Sequence, residues 1–403
     1  MITDLHTVPG FVFNGFSAGL KKNNQLDLAI IHAEKPCAAA AAFTRNLVVA
    51  EPVKVCKKQM EDGLIQTVVI NSKNANACTG ELGKQAVYDE IKRTSSIFHV
   101  AEKDVFIAST GVIGRPFPIT QVLNGITLAA NGLENTEKSS DATARAIMTT
   151  DTKPKGASFT FSLGEQTIHI GGIAKGSGMI HPNMGTMLSF IITDLNIKPE
   201  VLKVALNKAV DRSFNMISID GDTSTNDTVL VMANGKAAND LIDSTSHQHY
   251  AKVEEELTRI CIDLGQTIVD DGEGITKMIT FEVKGLPEEE DCRKIIRTLS
   301  TSLLVKTAFF GKDPNWGRLF AAAGRAGVNF DPDKVDLFMG QNDELCLLKT
   351  GQPEELDEAL ADEILSKRDV KVKFDFNQGK AHAIGWGSDL SYDYVKINAE
   401  YTT

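Results

Sequence analysis

Lys175-Gly-Ser-Gly-Met-Ile-His-Pro-Asn-Met-Gly-Thr-Met-Leu-Ser-Phe-Ile-Ile-Thr-Asp194 is a loop of small residues and one proline that runs directly into an apolar strand. The junction falls at Gly185-Thr186. On composition alone a Gly-Thr pair here is a strand start, with Phe190, Ile191 and Ile192 forming a short apolar run of strand length. Chemically it can do more. If the Thr186 hydroxyl attacks the Gly185 carbonyl, an N-to-O acyl shift followed by hydrolysis of the ester cuts the chain and leaves Thr186 as a new N-terminus. A threonine so freed has its own α-amine, of ordinary pKa about 7.7 to 8, as the base for its hydroxyl. Gly185 presents no Cβ to obstruct the attack and tolerates the strained backbone it requires.

Glycines 171, 172, 176 and 178 lead into this segment, but a phosphate-binding loop needs glycine before the lysine, and Lys175 precedes Gly176. No nucleotide loop is read. Asp220, Asp222 and Asp227 resemble part of a calcium loop, yet Val231 stands where the bidentate glutamate belongs. His247 and His249 lack a third ligand nearby, so no metal is expected. The cysteines 37, 56, 78, 261, 292 and 346 form no CxxC pair and read as reduced thiols.

Working outward, apolar runs of strand length recur at residues 28–31, 67–70, 105–107, 190–192, 229–232, 279–283 and 370–374. Between them lie helical stripes. Residues 199–214 place Val201, Leu202, Ala205, Leu206, Ala209 and Val210 on one face; similar patterns span 250–268, 291–304 and 353–364, the last with Pro353 in its first turn. The fold class is therefore α/β (α+β). At 403 residues the chain forms two packed units or one large one, and no linker marks a boundary. Hydrophobic residues at 42% and charged residues at 24% exclude a disordered chain. A net charge of -11 disfavours nucleic acid and anionic membranes, and no stretch is long and apolar enough for a membrane span. With no leader-like pattern in the first 13 residues, a cytoplasmic location is expected.

Further blocks accompany the 175–194 segment: Asn71-Ser-Lys-Asn-Ala-Asn-Ala-Cys-Thr-Gly80, Ala108-Ser-Thr-Gly-Val-Ile-Gly114, Ala146-Ile-Met-Thr-Thr-Asp-Thr152, Ser218-Ile-Asp-Gly-Asp-Thr-Ser-Thr-Asn-Asp227, Asp271-Gly-Glu-Gly274, Lys312-Asp-Pro-Asn-Trp-Gly-Arg318 and Asn398-Ala-Glu-Tyr-Thr-Thr403. Together and in this order they resemble the ornithine acetyltransferases, the bifunctional glutamate N-acetyltransferase family of arginine biosynthesis, across essentially the whole chain. One position departs: the family commonly has alanine before the threonine, where this chain has Gly185.

The resemblance implies a layered sandwich of the self-processing N-terminal-nucleophile type with a smaller C-terminal α/β lobe. It implies cleavage at Gly185/Thr186 into an α chain, 1–185, and a β chain, 186–403, which form one intertwined unit and assemble as α2β2. The implied reaction is ping-pong transfer of acetyl from N2-acetyl-L-ornithine to L-glutamate through an acetyl-Thr186 ester, with no cofactor, acetyl-CoA being a possible second donor. By the same resemblance Thr110 and Gly111 stabilise the oxyanion, and Thr149, Lys175, Thr186, Glu273, Asn398 and Thr403 contact substrate. Lys175 is expected to meet a carboxylate or help activate Thr186, and Glu273 to meet the ornithine ammonium or manage a proton. Packing near the site is expected of Trp316 and its block. A self-processing amidase or aminopeptidase, handing the acyl group to water, is the alternative.

Overall fold

The computed structural model describes residues 5–181 and 187–400. Gly185, Thr186 and Thr403 lie outside the described residues. The first part of the chain forms β1 (Phe11–Phe16), β2 (Leu28–Phe43), α1 (Glu51–Gln59), β3 (Leu64–Asn71), α2 (Gly80–Phe98), β4 (Val105–Ser109), α3 (Ile119–Ala129), α4 (Glu137–Ala146), β5 (Lys155–Leu163) and β6 (Gln166–Lys175). After the junction come β7 (Leu188–Thr193), α5 (Pro199–Asp211), β8 (Ile217–Ser218), β9 (Thr228–Ala233) and α6 (Tyr250–Asp270). The chain then continues through β10 (Met278–Leu286), α7 (Glu289–Ser300), α8 (Leu303–Phe310), α9 (Trp316–Gly324), β11 (Asp336–Met339), β12 (Leu345–Lys349), β13 (Gln352–Pro353), α10 (Glu358–Ser366), β14 (Asp369–Asp375), β15 (Ala381–Ser388) and α11 (Tyr392–Glu400).

Eight strands make the first sheet, in the order β4-β3-β2-β9-β7-β6-β5 with β1 added beside β2. Strands β7 and β9 pair in parallel at its centre, and every residue of both is buried. Such strands are apolar on both faces because both faces are covered. Alternation along them divides two cores: Leu188, Phe190, Ile192, Leu230 and Met232 enter one, and Ile191, Val229, Val231 and Ala233 the other. Helices α1, α2 and α4 cover the first face, and α5 and α6 the second. Gly172 lets α6 come close, since a Cβ there would stand 3.0 Å from both Leu264 and Ile191.

The second sheet runs β13-β12-β11-β14-β10-β15-β8 and carries α7 against β10 and β15. Helix α6 touches strands of both sheets, which fuses their apolar interiors into one cluster. Chain order and space do not coincide here. β8 leaves the first sheet to join the second, and β9 returns to lie between β2 and β7. The junction at 185/186 accordingly separates β6 from β7, which pair antiparallel from Ile170↔Thr193 to Lys175↔Leu188.

The mixed α/β class and a C-terminal sheet with its own helices agree with the sequence reading, and each of the seven strand segments falls within a strand. Two helices differ. The stripe read over 291–304 is two helices, because α7 ends at Ser300 and Ser302 is the N-cap residue of α8. The helix placed over 353–364 begins at Glu358, with the Asp357 side chain accepting the Leu360 N–H. Pro353 instead sits in β13, at the edge of its sheet, where its missing N–H breaks no ladder.

Leu264 is fully buried where α6 meets the first sheet. Leu264→Ala is expected to lower unfolding free energy by about 2–5 kcal/mol, measured by urea denaturation.

Candidate active site

Lys175 ends β6, Leu188 begins β7 and Thr228 begins β9, and the three are successive Cα partners across the sheet. The end of β4 is drawn to the same place by Asn226, whose Nδ2 donates to the Ser109 carbonyl at 2.8 Å and to the Ala75 carbonyl at 2.6 Å. A cavity of about 150 Å³ opens there. Thr110, Gly111, Thr149, Lys175, Glu273 and Asn398 all line it, together with Met187 and Leu188. Every described residue of the expected site is thus brought to one place. The Trp316 block is not: none of its residues lines the cavity, and its Asn315 caps α9 by accepting the Arg318 N–H.

Thr110 and Gly111 follow β4 in a turn clamped against residues 71–74. The Thr110 N–H donates to the Asn71 carbonyl (3.0 Å), the Val112 N–H to the Lys73 carbonyl (3.1 Å), and the Ser109 hydroxyl to Asn71 Oδ1 (2.6 Å). Gly111 has φ of +131°, and a Cβ on it would lie 2.2 Å from the Lys73 carbonyl carbon, so only glycine fits. Because the Thr110 N–H is already engaged, what that residue offers the cavity is its hydroxyl. Its Oγ1 accepts from Lys175 Nζ at 3.2 Å, which leaves the hydroxyl proton to donate onward.

Lys175 is buried, and burial pulls its pKa below the ordinary lysine value, opposed chiefly by the carboxylate of Asp151. Glu273 stands on the loop after α6, where its N–H donates to the Ser177 carbonyl (2.9 Å) and its Oε2 accepts from Asn398 Nδ2 (2.9 Å). Asn398 is held in turn on α11 by a bond from Nδ2 to the Tyr394 carbonyl at 3.1 Å. The Thr149 N–H donates to Asp151 Oδ2 at 2.9 Å, and the neighbouring Thr150 hydroxyl meets Ser177 Oγ at 2.7 Å.

The acidic stretch that resembled a calcium loop has other work. Asp220 accepts the N–H groups of Met179 (2.6 Å), Ile180 (2.9 Å) and Asp222 (3.2 Å), pinning the loop that leads toward the junction. Asp227 also lines the cavity, and its Oδ2 has no hydrogen-bond partner among the described residues. Burial pushes its pKa well above the usual carboxylate range, and Lys175 only partly offsets this. The sequence reading missed Asp227 as a site residue. A signal was available, since it stands two residues before the all-apolar Val229–Met232 run, where a solvated acidic turn is out of place.

Gly178 carries a consequence for Glu273. A Cβ at that position would lie 2.5 Å from the Glu273 carboxyl, the far end of a flexible side chain that can move. Gly178→Ala is expected to break the Glu273–Asn398 hydrogen bond while changing stability by about 1 kcal/mol or less. A crystal structure of the variant and its thermal melt check both parts.

Comparison with known proteins identifies the family. The model of the ArgJ family matches residues 12–403. The arginine biosynthesis bifunctional protein ArgJ of Symbiobacterium thermophilum is 46% identical over 396 residues, covering 98% of this chain and 97% of the relative. Its counterpart in Gloeobacter violaceus is 44% identical over 398 residues, covering 98% and 96%. A crystal structure of the arginine biosynthesis bifunctional protein from Bacillus halodurans shares 40% sequence identity at a TM-score of 0.51, covering 54% of this chain and 100% of that one. The chain is an enzyme of the ArgJ family.

Proposed function

We propose that this enzyme cuts itself between Gly185 and Thr186 and then carries acetyl from N2-acetyl-L-ornithine to L-glutamate by way of an acetyl-Thr186 ester. The observation that carries the reading is the convergence of Thr110, Gly111, Thr149, Lys175, Glu273 and Asn398, from distant parts of the chain, on a cavity also lined by Met187. Thr186 directly precedes Met187 in the sequence. Further support comes from chain lengths. The part from Thr186 to Thr403 is 54% of the sequence, the same share that the whole Bacillus halodurans chain covers.

Cleavage consumes one water and leaves a Gly185 carboxylate and a free Thr186 amine. In the first half-reaction that amine takes the proton of Thr186 Oγ as the oxygen attacks the acetyl carbonyl. The negative charge that develops on the carbonyl oxygen meets the Thr110 hydroxyl and the Gly111 N–H. Collapse expels ornithine, which takes up the proton as it leaves. The glutamate amine then attacks the ester, Thr186 Oγ is reprotonated, and N-acetylglutamate departs. Lys175 suits the α-carboxylate of either amino acid as a buried cation. Glu273, oriented by Asn398, suits the ornithine ammonium, and Thr149 and Thr403 complete the substrate contacts.

The relatives' designation as bifunctional favours a second activity, acetylation of glutamate by acetyl-CoA at the same threonine. The two products of cleavage are proposed to remain together and to pair as α2β2 in the cytoplasm. Among the described residues no helix is long and apolar enough to cross a membrane.

Thr186→Ala is expected to run as one uncut chain on denaturing gels and to transfer no acetyl, whereas N-terminal sequencing of the mature second fragment should read Thr-Met-Leu-Ser. Thr110→Val should lower kcat by about 10²–10³ with cleavage products still paired. Consumption of acetylornithine at equal rates with and without glutamate would replace the transferase reading by an amidase.

A further inference from the structure

Lys155, the first residue of β5, has a side chain only 1% exposed. Its Nζ donates to Asp151 Oδ1 at 2.6 Å and to Asp271 Oδ2 at 2.5 Å, and those carboxylate side chains are 0% and 4% exposed. An ammonium taken out of water loses several kcal/mol of hydration, which only well-placed counter-charges offset. Both counter-charges here come from other segments that line or flank the cavity. Asp151 also accepts the N–H of Thr149 through Oδ2 and the N–H of Gly176, the residue after Lys175, through Oδ1 at 2.7 Å. Asp271, two residues before Glu273, also accepts the N–H of Thr152 at 3.0 Å and the Thr152 hydroxyl. The turn bearing Thr149, the strand end bearing Lys175 and the loop bearing Glu273 are therefore tied to one ammonium. Lys155 is itself absent from the cavity lining.

We infer that Lys155, Asp151 and Asp271 form a buried clamp of positioning residues that fixes Thr149, Lys175 and Glu273 relative to one another for acyl transfer. The inference rests on the substrate roles assigned above to those three residues. A two-pronged ammonium suits the task because it holds both carboxylates at hydrogen-bond distance, and neither can shift without leaving a buried charge unpaired.

The clamp also sets a charge. The titratable groups acting on Lys175 are Asp151 on the turn after α4, Lys155 on β5, Asp227 before β9, and Glu273 after α6. The Lys21 ammonium, itself lowered to about 8 chiefly by burial, interacts with Lys175 as well. Asp151 is the largest influence favouring the Lys175 ammonium. Burial alone would raise the pKa of Asp151, but Lys175 and Lys155 outweigh it and hold the carboxyl well below the usual range. The sign follows. Removing the Asp151 charge leaves burial less opposed, so Lys175 gives up its proton at lower pH, and activity that needs the ammonium fades at lower pH too.

The test compares wild type, Asp151→Asn, Lys155→Met and the double variant Lys155→Met/Asp271→Asn, each as the full, processed enzyme. Lys175 is titrated by competitive acetylation with acetic anhydride and peptide mass mapping, a readout that requires no catalysis. In Asp151→Asn the labelling midpoint should fall by about one pH unit or more, with the alkaline limb of kcat/KM moving alongside it. The KM for acetylornithine should rise about tenfold or more as the contacts lose register. Lys155→Met leaves two buried carboxylates without their ammonium, and the double variant, which removes one charge of each sign, should regain part of the loss. An unchanged midpoint in Asp151→Asn overturns the clamp. If that variant does not fold, a double variant with wild-type KM for both substrates overturns it instead. Wild type that never acetylates glutamate refutes the functional reading alone, since the labelling midpoint still judges the clamp.

Discussion

Lys155 and Lys175 are buried together with Asp151 and Asp271, and this balance of charges is the constraint on which the site depends. In a region of low dielectric, each group is tolerable only while its partners hold position, so the penalty for displacement is steep. The segments concerned are otherwise weak in structure. The residues after α4, those after β6 and those after α6 are turns and loops, which ordinarily carry more mobility than the elements they join. Ionic ties between them supply the rigidity that a helix or a ladder would supply elsewhere. Asparagine amides do the same for the opposite wall, where Asn226 joins the end of β4 to residue 75 and Asn71 binds Ser109.

The sheet explains how a chain divided at its centre would stay whole. Strands β7 and β9 follow the junction in sequence yet lie between β2 and β6, which precede it. A cut between Gly185 and Thr186 would leave these strands paired to their neighbours on both sides. It would also leave Leu188, Phe190 and Leu230 packed in a core whose other members are mostly from before the junction. Separation would expose that apolar surface and the edges of four strands, a cost that opposes it. The same arrangement puts the start of β7 against the ends of other strands, where loops are free to vary and functional side chains collect.

Glu273 and Asn398 illustrate how far apart in sequence the groups of one small cavity can be. Asn398 follows Glu273 by 125 residues, and its amide donates to the carboxylate. Gly178 then matters through an absence, because the carboxylate occupies the space a side chain would take. Asp227 adds a buried acid beside Lys175, one of whose oxygens, Oδ2, has no hydrogen-bond partner among the described residues.

Local pattern was enough for much of the scaffold. The helices at Pro199–Asp211 and Tyr250–Asp270 follow from apolar spacing, and strands β7 and β9 from unbroken apolar runs, because burial of one stripe or two faces imprints its period on the residues themselves. Pattern misled at Pro353, where edge pairing to β12 outweighed the resemblance to a helix start, and at Thr301, where a break between α7 and α8 left the apolar spacing intact. Family-like motifs name Thr110, Gly111, Thr149, Lys175, Glu273 and Asn398, which periodicity along the chain does not single out. Only the tertiary structure decided that Asp151, Lys155 and Asp271 share one buried ammonium, and that Asp227 faces the same cavity as Lys175. Electrostatic pairing acts through space over a few ångströms, and it leaves no periodic trace along a chain where one partner, Asp271, stands 116 residues from Lys155.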